Sequence, residues 1–190
     1  MNENEALQII KFRLSPRRYQ HSLGVAETAR QLAECYQIDS HKAYLSGILH
    51  DYAKGIPGPE LLAIAEENHL LTDEAERLVP DLLHAPVGAH LLQEELDITD
   101  EELLAAVAKH TLGDSHMSPL EQVIFLADMI EPGRDYPGME RLSCLAFRDL
   151  QMAMVYAFDL TIRYCVEQGR LIHPRSVEVR NKFLLSLPRD

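Results

Sequence analysis

The stretch GILHDYAKG, Gly47–Gly55, ends an apolar, helix-like run on a histidine and an aspartate placed side by side, with Lys54 three residues beyond Asp51. An imidazole and a carboxylate are costly where burial ought to begin, unless each finds a partner. Working outward, the same choice recurs on segment after segment. His21 shares a stripe with Gly24, Val25, Thr28 and Leu32, while His50 and Asp51 close the stripe built on Tyr44, Gly47 and Ile48. His84 precedes Val87, Gly88 and Leu91 at helical spacing, and His110 closes the row of Leu103, Ala106 and Val107. Asp128 follows Ile124 by one turn inside VIFLADMIEP.

Nearly every segment carries the helical period, and no pair of alternating β-branched runs asks to be strands. The expected fold is therefore all-α: one helical bundle over residues 1–190, with a core at about 16–187 and an N-terminal helix at about 3–14. Pro16 suits the start of a helix running to Tyr36. A second helix spans His41 to Tyr52 and is broken by KGIPGPE; short helices follow at about 59–68 and 74–79. His84–Leu96 is another, then Asp100–His110 with Asp100 as cap. Ser118 caps a helix that begins at Pro119 and stops near Ile130. A long helix is expected over 140–168, with apolar positions 142, 145, 146, 152, 153, 156 and 160, and a last one over Ser176–Leu187.

A lone histidine on an apolar face is usually a hydrogen-bonded core residue. Five helices all making that choice independently is far less probable than one shared cause. A bound divalent ion is such a cause, because neutral imidazoles and carboxylates are good ligands and coordination offsets the cost of burial. Neighbouring helical positions stand about 100° apart, so His50 and Asp51 can fan to either side of an ion. The all-α bundle is thus expected to hold a buried metal site.

With 30 Asp and Glu against 18 Lys and Arg, the formal net charge is −12. Such a surface repels polyanions, which argues against nucleic acid or an anionic membrane as partner. No apolar run approaches the roughly 20 residues of a membrane span, and the start MNENEALQII lacks a signal-peptide pattern. The expected location is the cytoplasm. Cys35, Cys144 and Cys165 are odd in number and set among apolar residues, so they are expected to be reduced packing residues.

His21, then His50–Asp51, then Asp128 resembles the H…HD…D signature of the HD-domain metal-dependent phosphohydrolases. RRYQHSLGVAETA, GILHDYAKG, HAPVGAH, KHTLGDSHMSPLEQVIFLADMIEPGRDYPG and LIHPRSVEVRN together resemble the bacterial YqeK group of symmetrical dinucleoside tetraphosphate hydrolases. That resemblance covers about Pro16 to Asn181. It implies hydrolysis of diadenosine tetraphosphate to two ADP, with a dinucleoside polyphosphate or ADP-like nucleotide as partner. It also implies a divalent metal, iron by association, with manganese or zinc equally compatible with an N/O ligand set. His21, His50, Asp51 and Asp128 would form the metal set. His84 and His110, with Asp51, would be catalytic, either holding a second ion that Asp51 bridges or contacting phosphate; one ion or two stays open.

Substrate contacts fall to Arg18, His21, Gly24, Lys54, His84, His110, Thr111, Arg134, His173 and Asn181. Lys54 offers a point charge, Arg134 a planar fork, and Thr111 a hydroxyl for phosphate. Gly24 either leaves space for nucleotide or packs closely against a neighbour. Arg18, His173 and Asn181 match the edges of the motifs. The alternatives are hydrolysis of nucleoside mono-, di- or triphosphates, or a nucleotide sensor without turnover. Whether the chain is a homodimer is left open.

Overall fold

Ser15 and Pro16 start the helix that carries His21: the Ser15 hydroxyl accepts the Arg18 N–H (3.4 Å), and α2 runs Pro16–Cys35. The computed structural model describes residues 1–188. Before α2 lies α1 (Glu3–Arg13), and after it α3 (Ser40–Leu49), α4 (Gly58–Glu67) and α5 (Glu74–Leu78). A 3₁₀ turn, Pro80–Leu83, leads into α6 (His84–Leu96), α7 (Glu101–Lys109) and α8 (Pro119–Ile130). The chain closes with α9 (Met139–Ala146), α10 (Leu150–Glu167) and α11 (Pro174–Ser186). Among the described residues there is no strand, and no helix is long and apolar enough to cross a membrane.

Helices α2 and α3 make the most extensive pairing in the molecule. Gly47 permits it, since a Cβ there would lie 2.6 Å from the Ala26 Cα. That contact brings the imidazoles of His21 and His50 together from two helices. On one side of the pair, α8 and α10 bury Ile124, Leu126, Met154 and Phe158, with Phe125 and Phe158 stacked at 4.8 Å. On the other, α1, α3 and α7 bury Ile10, Ile48, Leu49 and Val107. Each fully buried large aliphatic side chain stabilises the fold by about 1.5–3 kcal/mol, so the histidine cluster is clamped between two rigid layers.

Four expectations need correction. The long helix over 140–168 is two: α9 ends at Ala146, and Asp149 starts α10 by accepting the Met152 N–H at 3.1 Å. An aspartate that can cap competes with helix continuation, and the restart moves the buried face onto Met154, Val155, Ala157 and Phe158 while Met152 faces solvent. The second helix stops at Leu49, so His50 is its C-terminal cap and Asp51 sits in the turns that follow, closed by Tyr52 N–H to Leu49 O and Lys54 N–H to Asp51 O. The cysteines are unpaired, but Cys35 and Cys144 are exposed and Cys165 half-buried, so they do not pack the core. The last helix begins at Pro174 because His173 caps it, its Nδ1 accepting the Arg175 N–H at 3.1 Å.

Candidate metal centre

His50, His84 and His110 all stand at the ends or starts of helical segments, where backbone carbonyls are open to a side-chain donor. Each uses one. The Nδ1 atoms donate to the carbonyls of Gly47 (2.7 Å), Asp81 (2.5 Å) and Val107 (2.7 Å), in every case three residues back. Donation from Nδ1 leaves the Nε2 lone pair free. All three Nε2 atoms aim inward, and so does that of His21, whose Nδ1 donates instead to Glu131 Oε1 at 3.1 Å.

The result is a tight set of acceptor atoms. His21 Nε2 lies 3.3 Å from His50 Nε2 and 3.0 Å from Asp128 Oδ1. His84 Nε2 lies 3.0 Å from His110 Nε2. Asp51 stands between these groups: its Oδ2 is 3.5 Å from His50 Nε2 and 3.8 Å from His21 Nε2. Its Oδ1 is 3.4 Å from His84 Nε2 and 3.9 Å from His110 Nε2. Ligand-type atoms gathered at such distances suit a shared cation. Ligands bound at about 2.0–2.2 Å to one ion lie roughly 3 Å apart, so the donor set fits a divalent metal. Asp51 with His21 and His50, His50 with His110 and Asp128, and Asp51 with His84 and His110 each form a group compact enough to hold one.

The electrostatics agree. Burial favours the neutral acid of Asp51, yet the surrounding His50, His84 and His110 hold its carboxyl down at about 2. Burial likewise opposes ionisation of Asp128, which its hydrogen bond with His21 and the charges of His50 and Arg134 push well below the usual range. His110 is lowered to about 3 by burial and by its imidazole neighbours, and His84 is lowered by burial and by Lys54. Both are therefore neutral at physiological pH, the form in which imidazole ligates.

Cations border the cluster. Arg18 donates to Asp51 Oδ2 at 3.1 Å. Arg134 reaches Asp128 twice, to Oδ1 at 2.5 Å and to the backbone carbonyl at 2.8 Å. Lys54 donates to Asp81 Oδ2 at 2.8 Å, with its ammonium 3.3 Å from His84 Nδ1. Thr111 Oγ1 sits 3.3 Å from His84 Nε2. These side chains line a cavity of about 260 Å³ over Asp51, His84 and Asp128. A larger one of about 940 Å³ opens beside it, walled by Arg17, Arg18, His21, Gly24, Glu131 and Arg134. Arg18 and Arg134 belong to both walls.

Eleven of the thirteen site residues picked from the sequence thus gather at these two cavities and the cluster between them: Arg18, His21, Gly24, His50, Asp51, Lys54, His84, His110, Thr111, Asp128 and Arg134. His173 and Asn181 stand apart from both walls. His173 is buried, with its Nε2 3.5 Å from Glu76 Oε1, and Asn181 is exposed and accepts from Arg180. Gly24 does border the larger cavity, but the close neighbour it makes room for is the Glu131 carboxylate, 2.6 Å from where a Cβ would stand. Glu131 and Arg17 are the residues that sequence reasoning missed. Glu131 follows Asp128 by one turn in DMIEP, and that spacing was the available signal.

A family model described as HD domain matches residues 18–133. A protein of Halalkalibacterium halodurans named bis(5'-nucleosyl)-tetraphosphatase, symmetrical, is 41% identical over 185 residues, covering 97% of this chain and 98% of its own. A Bacillus subtilis protein of the same name is 41% identical over 178 residues, covering 92% of this chain and 93% of its own. Among solved structures, a Clostridium acetobutylicum protein described as a predicted HD superfamily hydrolase involved in NAD metabolism superposes with a TM-score of 0.92 at 34% identity, covering 97% of this chain and 98% of that one.

Proposed function

Because the chain belongs to the HD-domain family, we propose that it is a divalent-metal-dependent hydrolase that cuts dinucleoside tetraphosphates at the central phosphoanhydride. Water adds across that P–O–P bridge, and diadenosine tetraphosphate yields two ADP. The two relatives named for this symmetrical activity align over almost their whole length with this chain. The observation in the site that carries the proposal is Asp51, whose two carboxylate oxygens face two separate groups of imidazoles.

His21, His50, Asp51 and Asp128 would hold one ion, and Asp51 with His84 and His110 a second. Iron is the metal we assign on family resemblance, with manganese and zinc as the competitors to be tested. Such ions, when bound, supply a lowered pKa for water and neutralise phosphoryl charge. The chain's own residues do the rest. Asp51 and the neutral imidazoles of His84 and His110 present deprotonated donors at physiological pH. Arg18 and Arg134, shared by the two cavities, would fork onto phosphate oxygens of the substrate. Lys54 adds a point charge at the inner end, and Thr111 a hydroxyl donor. Charge neutralisation and in-line alignment are the main contributions a protein makes to phosphoryl transfer.

A single mononucleotide would need fewer cations than Arg17, Arg18, Lys54 and Arg134 together provide, which favours the long polyphosphate. Chromatography of the products from diadenosine tetraphosphate and metal-loaded protein is the test. ADP alone is expected. AMP with ATP, or nucleotide binding without turnover, would overturn the proposal.

A further inference from the structure

Glu131 is a buried carboxylate, 5% exposed, that the reaction as described does not use. Its Oε1 accepts from His21 Nδ1 at 3.1 Å, and its Oε2 accepts the Gly133 N–H at 2.6 Å. The reason for such a residue lies in where His21 sits. His50, His84 and His110 find carbonyls at the ends of helical segments. His21 lies inside α2, where the carbonyls one turn back are engaged in the helix, so its Nδ1 needs an acceptor from elsewhere. Glu131, the C-terminal cap of α8, supplies it.

Two glycines make the space. A Cβ on Gly24 would lie 2.6 Å from Glu131 Oε2, and one on Gly133 2.9 Å from the same oxygen. Arg134 Nε stands 3.8 Å from Oε1 on the open side. The carboxylate is thus held by a backbone N–H, faced by a guanidinium and fenced by two residues without side chains. It has one orientation in which to meet His21.

The geometry points to Glu131 as the positioning residue of the metal centre: it fixes His21 in the tautomer and ring orientation that present Nε2 to the ion, and Gly24 is glycine to admit it. This rests on the metal assignment made for the site. Groups that accept from a ligating histidine typically contribute 10–100-fold to metal affinity.

The test is metal affinity, measured by competition with a chromophoric chelator on the full chain after stripping, for wild type, Glu131→Ala, Glu131→Gln, Gly24→Ala and the Gly24→Ala/Glu131→Ala double variant. Far-UV circular dichroism and thermal unfolding verify folding. Glu131→Ala should weaken binding roughly 10–100-fold. Glu131→Gln should recover part of it, since its amide oxygen can still accept from Nδ1. Gly24→Ala should weaken binding where Glu131 is present and have no further effect where it is gone. Should Glu131→Ala fail to fold, Glu131→Gln and Gly24→Ala decide by the same comparison with wild type. Folded Glu131 variants that bind as tightly as wild type would overturn the inference, as would a Gly24→Ala loss of equal size with and without Glu131. Wild type that binds no divalent ion would instead overturn the metal assignment itself.

Discussion

Asp51→Asn is the sharpest perturbation of the centre. The residue is 2% exposed, and each of its oxygens faces a different pair of imidazoles at 3.4–3.9 Å. Asparagine keeps the volume but removes the negative charge that both groups share. An anionic ligand to a catalytic ion supports several kcal/mol of transition-state stabilisation, and about 4 kcal/mol corresponds to on the order of 10³-fold in rate. The expected result is a loss of turnover of that order, with metal content falling for both groups together. Stability follows a separate sign. A carboxyl held at about 2, below its usual 3.8, stabilises the folded metal-free chain above that usual value, and the contribution is lost as the pH falls through about 2. The stripped variant should therefore melt lower than stripped wild type at pH 7. The assays are elemental analysis, product chromatography and thermal unfolding. An Asp51→Asn protein with wild-type metal content and turnover would refute the bridging role.

Acid should destabilise the metal-free chain: His84 and His110 are lowered from 6.5, so the unfolded chain binds more protons below that value and stability falls as the pH drops from 7 toward 5. His21 opposes this, since burial lowers it but its hydrogen bonds with Asp128 and Glu131 raise it further, adding stability that is lost as the pH rises through its folded value. With two groups against one, the melting temperature of stripped protein should be lower at pH 5 than at pH 7. Lys54→Ala should raise KM for diadenosine tetraphosphate by roughly tenfold, because a charged hydrogen bond contributes about 1.5–3 kcal/mol; an unchanged KM would remove Lys54 from phosphate binding. Asp149→Ala, far from the site, should cost about 1 kcal/mol through the lost cap of α10, lowering the melting temperature by about 2–4 °C with kcat unchanged.

Much of this was readable from local chemistry. Pro16, Asp100, and Ser118 with Pro119 start helices where expected, because such signals depend only on residues a few positions away. His21, His50, His84, His110 and Asp128 stood out because each lies on an otherwise apolar helix stripe. The break at Phe147–Asp149 was hidden, since no glycine or proline marks it and the apolar spacing runs on across it. Glu131 was hidden for a different reason. In IEPGR it looks like a surface charge at a helix stop, and its partner His21 is 110 residues away in sequence. His173 looked like a ligand-facing histidine but its local role as a helix cap decides its direction. Pairings made only by the packing of α2 against α8 are invisible until those helices are placed.

Anomalous diffraction from crystals of protein purified without chelator tests the centre most directly. A peak within bonding distance of His21 Nε2, His50 Nε2 and an oxygen of both Asp51 and Asp128 is expected, with a second beside His84 and His110 if two ions bind. Crystals soaked in iron(II) or manganese(II) that show no peak among these side chains would contradict the account.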